Sequence, residues 1–253
     1  MKNKLKFLFI ILIFSSLITA TSVYFYTLKR KEDIAASTTS ESKEKIAYLT
    51  FDDGPSNNTE KILEILDKYN IKATFFVVGP EQRKKNDLLI KIVNSGHTLA
   101  IHSYEHNYNY IYASKENYLK DFYKCLNWIE KITGVKPSIY RFPGGSSNTI
   151  ANKTLIKSII SDLNQSGFTH ADWNVDTLDS YCKDDSNKII KNALTALKRN
   201  ENNNHYYQTI LLHDDKKKPA SVTSLPILIE KFISYGYHFE TINKNSHIIK
   251  HVT

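Results

Sequence analysis

A chain of 253 residues with 41% hydrophobic and 24% charged side chains is long enough for one domain with a full core and too apolar for a disordered chain. Its formal net charge of +8 would suggest a nucleic-acid partner if it were spread along the chain. Instead Lys2, Lys4, Lys6, Lys29, Arg30 and Lys31 precede every acid, and residues 32–253 carry 28 bases against 26 acids, a net of +2 that argues against such a partner.

The first predicted element is Phe7–Leu28, 22 residues without a charge. As a helix it would run roughly 33 Å, enough to cross a bilayer. We expect an uncleaved membrane anchor within residues 1–31. A signal peptide cleaved near Ala20-Thr21-Ser22 competes with it, but apolar Val23-Tyr24-Phe25-Tyr26 follows that site directly. Lysines flank the span on both sides, so charge alone does not orient it. Residues 32–44, rich in Ser, Thr, Glu and Lys, read as a solvated tether. A single domain is expected over 45–253.

Within that domain apolar strands and amphipathic helices alternate. Strands are expected at 45–51, 72–79, 97–101, 138–142, 168–175, 208–213 and 237–241. Ile62, Ile65, Leu66 and Tyr69 form one helical stripe, with Thr59 placed to cap it. Leu119, Phe122, Tyr123, Leu126 and Ile129 form another, closed by Gly134 and Pro137. Further helices are expected at 187–200 and 222–235, the last ended by Gly236. Seven strands with helices between them imply parallel pairing and an α/β barrel one unit short of eight.

The chemistry clusters at strand ends. Asp52 and Asp53 close the first strand, where two adjacent like charges repel and fold stability gives no reason for them. His102 and His106 are four apart, and a helical turn would bring them onto one face. Arg141, the stretch Trp173–Asp179 and His213 follow later strands, so all would meet at the C-terminal end of the barrel. Asp53, His102 and His106 supply two imidazoles and a carboxylate, three ligands that leave a divalent cation an open position; Asp52 is then free to act as a base. Zinc is the default for such donors, with Co, Mn or Ni also compatible. Cys125 and Cys182 are too few for a disulfide framework, and whether they pair is left open. His97 reads as structural. Tyr104, Tyr108, Tyr110 and Tyr112 read either as a sugar-stacking platform or as packing. His247 and His251 fall in a polar tail where no specific role is expected.

The stretches Thr50-Phe51-Asp52-Asp53-Gly54-Pro55, His102-Ser103-x-x-His106, Arg141-Phe142-Pro143-Gly144-Gly145, Asp172-Trp173-Asn174-Val175-Asp176 with Asp179, and Leu211-Leu212-His213 resemble, in order, the five motifs of polysaccharide deacetylases, the family 4 carbohydrate esterases or NodB-homology domains. The resemblance covers roughly residues 45–243 and implies a distorted (β/α)7 barrel. It implies Asp52 as general base, Asp53, His102 and His106 as metal ligands, and His213 as general acid tuned by Asp179. Arg141 resembles the arginine that holds the base. The Gly144 N–H would serve the oxyanion, and Trp173 and Leu211 would wall the pocket for the acetyl methyl. Ser180 and Gly144 stand where many members carry aromatics, which implies a more open groove. The wording is similar to Gram-positive peptidoglycan deacetylases, so N-acetylglucosamine in cell-wall glycan is the expected substrate, with N-acetylmuramic residues, chitin oligomers and poly-N-acetylglucosamine as alternatives. The enzyme would then act outside the cell, with no obligate protein partner evident. Two other classes compete. His102-x-x-Glu105-His106 fits the inverted zinc-peptidase pattern, with Glu105 as base, and an inactive sugar-binding module would keep the fold alone.

Overall fold

The computed structural model describes residues 44–79, 85–182 and 184–253, together with Tyr24 and residues 27–30. The chain divides into two compact units, Met1–Lys43 and Glu44–Thr253. The expected span Phe7–Leu28 and the tether 32–44 lie almost wholly outside the described residues. Among the described residues no helix is long and apolar enough to cross a membrane.

The second unit alternates strands and helices in the order β1 (Ile46–Asp52), α1 (Asn57–Lys68), β2 (Thr74–Val78), α2 (Lys85–Asn94), β3 (Thr98–Ser103), α3 (Tyr108–Ile111), α4 (Lys115–Thr133), β4 (Ile139–Tyr140), α5 (Lys153–Gln165), β5 (Thr169–His170), β6 (Val175–Asp176), α6 (Ser186–Asn202), β7 (Tyr207–His213), α7 (Pro219–Ser234) and β8 (His238–Glu240). Every strand pairing is parallel, in the order β5-β4-β3-β2-β1-β7-β6, with β8 beside the first half of β1. The stretch expected as one strand at 168–175 is two short ones at opposite ends of this order. Only residues 171–174 separate them, a reach of at most about 18 Å, so the sheet must curl until its two edges nearly meet. The expected barrel is present as this curled parallel sheet. Its strand count is eight because one stretch serves both edges.

Side-chain alternation divides the sheet into two faces. Outward, Ala47, Leu49, Phe51, Phe75, Val77, Leu99, Ile101, Ile210 and Leu212 pack under the helices in the main core. Inward, Ile46, Tyr48, Phe76, Ala100 and Ile139 fill the lower barrel. Thr50, Asp52, His102, Arg141, Leu211 and His213 continue that inward set at the C-terminal ends. The apolar floor leaves the polar layer facing one opening.

The helices begin and end for local reasons. Ser56, not Thr59, caps α1: its side chain accepts from the Asn58 N–H, and Thr59 closes the box by accepting from the Ser56 N–H. Ser114 caps α4, and Gly134 ends it in the left-handed region at φ 71°. Cys125 and Cys182 are both free and buried.

Candidate active site

The β1–β7 register sets Asp52 beside His213 and Thr50 beside Leu211. Asp52 is buried, and its Oδ1 accepts from Arg141 Nη1 at 2.8 Å. Arg141 is fully buried and would be strongly destabilising if unpaired. It donates four hydrogen bonds, to Asp52, Thr50 Oγ1, Ala171 O and Asp172 O, and its guanidinium lies 4.0 Å from the Phe76 ring centroid. The carboxylate is thereby fixed in one orientation, with Oδ2 turned towards His102 Nε2 at 3.9 Å.

Asp53 lies one residue on, at φ 72°, in the left-handed region that a non-glycine residue enters at a cost of order 1–3 kcal/mol. Its Oδ1 sits 3.4 Å from His102 Nε2 and 3.1 Å from His106 Nε2. β3 runs two residues past the expected end at 101, so His102 is on the strand and not on a helical turn, and His106 shares no helix with it. A bend follows Ser103, and His106 reaches the site from a loop at φ 50°. That loop is built on Asp121 of α4. Asp121 Oδ2 accepts from Ser103 Oγ and the Tyr104 N–H, its Oδ1 accepts from the Glu105 N–H, and Ser103 Oγ accepts from the His106 N–H.

These three residues fit a cation. Their donor atoms all lie within 4.8 Å of one another. His102 Nδ1 is 2.9 Å from the Arg141 carbonyl, which can only accept, so the neutral ring is the Nδ1–H tautomer and its Nε2 lone pair faces Asp53. Asp53 Oδ1 is buried without a hydrogen-bond partner. Burial opposes its ionisation, yet the flanking imidazoles outweigh that and hold the carboxyl well below the usual carboxylate range. Burial likewise opposes charging of His106, and Asp53 outweighs it, raising that imidazole. A carboxylate facing two imidazole nitrogens in a half-closed pocket is the donor set of a divalent ion with open coordination positions.

On the neighbouring strand β7, His213 is held differently. Its Nδ1 is 2.7 Å from Asp179 Oδ1, while Asp179 Oδ2 accepts from the His213 backbone N–H and from Ser221 Oγ. Burial lowers the His213 pKa, but Asp179, with smaller help from Asp52 and Asp53, raises it to about 9. Burial would raise Asp179, and the bond to His213 holds it below its ordinary value. His213 is therefore protonated at neutral pH and close to a fixed carboxylate.

Of the expected substrate residues, Leu211 lies buried on the inward face of β7, two residues before His213. Gly144 tops an exposed turn at φ 75° beside Tyr108. Trp173 stands with its ring centroid 5.5 Å from the Arg141 guanidinium. The four tyrosines separate. Tyr112 is buried, Tyr104 packs on Trp128 under Lys124, and Tyr108 sets its edge against His106. Glu105 is taken up by Lys124 on the surface and is not part of the Asp53–His102–His106 cluster, which argues against it as a peptidase base. His97 accepts from the Ala73 N–H, and burial lowers its pKa to about 4, a structural role as expected.

Two residues of the site were not singled out from sequence. Asp121 interrupts the buried stripe of α4, three residues after Tyr118 and four before Cys125; an acid on an apolar helix face was its signal. Asp214, directly after His213, is buried and pushed up to about 7 by that burial. It accepts from Thr59 Oγ1, and its N–H donates to Asp52 O. A Cβ at position 54 would fall 2.1 Å from Asp214 Oδ2, so only glycine lets the Asp53 loop pass it.

Comparison with known proteins agrees with this geometry. The polysaccharide deacetylase family model matches residues 39–161. A putative polysaccharide deacetylase of Bacillus subtilis, YheN, is 32% identical over 78% of this chain and 66% of its own length. A peptidoglycan-N-acetylglucosamine deacetylase of Bacillus cereus is 32% identical over 80% of this chain and 71% of its own. Among solved structures, the catalytic domain of a peptidoglycan N-acetylglucosamine deacetylase from Eubacterium rectale superposes with a TM-score of 0.75 at 34% identity, covering 83% of this chain and 94% of that one. The motifs, the curled parallel sheet and these relatives coincide, and the chain belongs to the polysaccharide deacetylase family.

Proposed function

We propose that this protein hydrolyses the N-acetyl group of N-acetylglucosamine residues in peptidoglycan, releasing acetate and leaving a free amine, with a divalent cation, zinc by donor set, held by Asp53, His102 and His106. The observation that carries this reading is a fixed base and a fixed acid on neighbouring strands beside the ligand cluster: Asp52 held by Arg141, and His213 held by Asp179. When bound, such a cation supplies Lewis acidity towards a carbonyl oxygen and a lowered pKa for water.

The chain's own residues divide the remaining work. Asp52 accepts the proton of the attacking water, and its contact with Arg141 keeps the receiving oxygen in place. The Gly144 N–H stands as the backbone donor to the developing oxyanion. An amine leaves poorly unless protonated, and His213, charged at neutral pH, delivers that proton. Trp173 and Leu211 wall the small pocket for the methyl group. The relatives named for peptidoglycan N-acetylglucosamine support the choice of sugar. The uncharged span Phe7–Leu28 supports a membrane anchor with the domain outside the cell. Such an anchor holds through a high-salt wash, because apolar burial is not screened by salt.

Acetate release tests the reading. The full-length chain, reconstituted with zinc, is incubated with purified peptidoglycan, chitin oligomers and poly-N-acetylglucosamine. Release from peptidoglycan should exceed the others. Release confined to the neutral polymers would move the substrate away from the wall, and none from any would overturn the function.

A further inference from the structure

The segment Ile249–Val252 has the composition of a polar tail, yet six hydrogen bonds fasten it to the site. The Asp172 N–H donates to Ile249 O at 2.8 Å. The His251 N–H donates to Asp172 Oδ2 at 2.8 Å, and the Val252 N–H to Ser146 Oγ at 3.1 Å. His170 Nε2 meets Val252 O at 2.9 Å. The His251 ring makes the other two: its Nε2 is 2.7 Å from Trp173 O and its Nδ1 is 3.1 Å from Ser147 Oγ. The Trp173 carbonyl can only accept, so Nε2 carries a proton and Nδ1 is free to accept from the Ser147 hydroxyl. One neutral imidazole satisfies both partners at once.

The two groups it joins both belong to the site. Ser147 continues the turn that carries Gly144 and Gly145. Trp173 stands over the Arg141 guanidinium, and its ring edge meets His251 at a centroid distance of 5.2 Å. A Cβ at Gly145, itself at φ 81°, would lie 2.8 Å from Trp173 Cη2. The indole thus touches both Gly145 and His251, and its backbone is tied by the same histidine. Within the segment the tasks separate: the buried Val252 anchors the chain, whereas His251 keeps 28% of its side chain exposed and contributes little core.

We propose that His251 is a positioning residue of this site: it clamps the Gly144–Gly145 turn to Trp173 and so sets where the indole stands as a wall of the acetyl pocket. The clamp rests on the hydrogen bonds; its effect on substrate rests on the deacetylase reading.

Three variants of the full-length chain test it: His251→Ala, His251→Gln and Ser147→Ala. A glutamine amide can donate to Trp173 O and still offer an oxygen to Ser147. Kinetics are read on N-acetylated glycan, and acrylamide quenching of Trp173 is read in a Trp128→Phe background. His251→Ala should raise KM roughly fivefold with kcat changed less than twofold, since a wall contacts ground and transition states alike. Bound metal should stay stoichiometric and Trp173 should become more quenchable. His251→Gln should recover most of the loss, and Ser147→Ala should show a smaller change in the same direction. Wild-type kinetics and quenching in both His251→Ala and Ser147→Ala would overturn the proposal. So would loss of metal or of the folded state in His251→Ala without rescue by glutamine, which would make the segment a folding clasp. If the wild type releases no acetate, the functional reading fails while the quenching comparison still decides the clamp.

Discussion

The site contains the same side chain in two surroundings. His102 shares its second ring nitrogen with a backbone carbonyl, that of Arg141, whereas His213 shares its own with the Asp179 carboxylate. A carbonyl fixes the tautomer without adding charge, which leaves a neutral ring with a lone pair for a cation. A carboxylate stabilises the imidazolium, which makes a proton donor. On the proposed reading, the partner behind the ring therefore separates ligand from acid within one barrel opening. Each side can be broken on its own.

The largest effect is expected on the ligand side. His102→Ala removes one of three donors and should abolish both metal binding and turnover; elemental analysis finding a stoichiometric divalent ion in the variant would sink the assignment. A chelator should silence the wild type, and zinc or cobalt should restore it. On the acid side, His213→Ala should keep its metal and lose roughly 10²–10⁴ in turnover, mostly in kcat. A nitrophenyl acetate, whose leaving group needs little protonation, should be spared relative to N-acetyl sugars, and equal loss on both would give His213 another task.

What was legible in sequence follows the same division. Asp52, Asp53, His102, Arg141, Asp179 and His213 are short-range signals, polar residues at or just past the ends of strands; alternation turns Asp52, His102, Arg141 and His213 inward, while Asp53 and Asp179 come from the loops that follow β1 and β6. The expected helical turn from His102 to His106 was wrong because spacing of four is also met by a strand end and a bend when a distant carboxylate, Asp121, holds the loop amides. The double strand at 169–176 was hidden because sheet closure is a tertiary fact, and two-residue strands, Thr169–His170 and Val175–Asp176, are too short to show a period. The segment at 249–252 carried no signal either, since partners such as the Asp172 carboxylate and the Ser147 hydroxyl lie 79 and 104 residues away.

Asp121 sharpens the ligand side with a smaller expected effect. Asp121→Asn puts an amide N–H against loop N–H groups that need an acceptor, so His106 loses its support while every ligand remains. Metal affinity should fall roughly 10–100-fold, the usual effect of removing a group that orients a ligand. A competition titration against a chelator reads this directly, and unchanged affinity would mean the strained His106 backbone holds itself.

Asp179→Asn should give the smallest effect at neutral pH and the most telling one against pH. In the wild type, His213 must be protonated to act, so activity should fall as pH rises through a limb at or below about 9; a cation at Asp53 offsets the part of the rise owed to Asp52 and Asp53, but not the part owed to Asp179. The raised pKa also stabilises the fold, fully below the unfolded value of about 6.5 and progressively less as pH climbs through the folded value. Asparagine keeps the shape and an acceptor but loses the charge, while the burial that lowers the His213 pKa stays, so the limb should move to about 6.5 or below. At pH 7.5 at most about a tenth of the rings would then be protonated, a loss of roughly tenfold or more that lowering the pH should progressively reverse. The alkaline loss of thermal stability should weaken in the same variant. If the limb stays where it was, the carboxylate only orients the ring, and the contrast with His102 is one of geometry, not of charge.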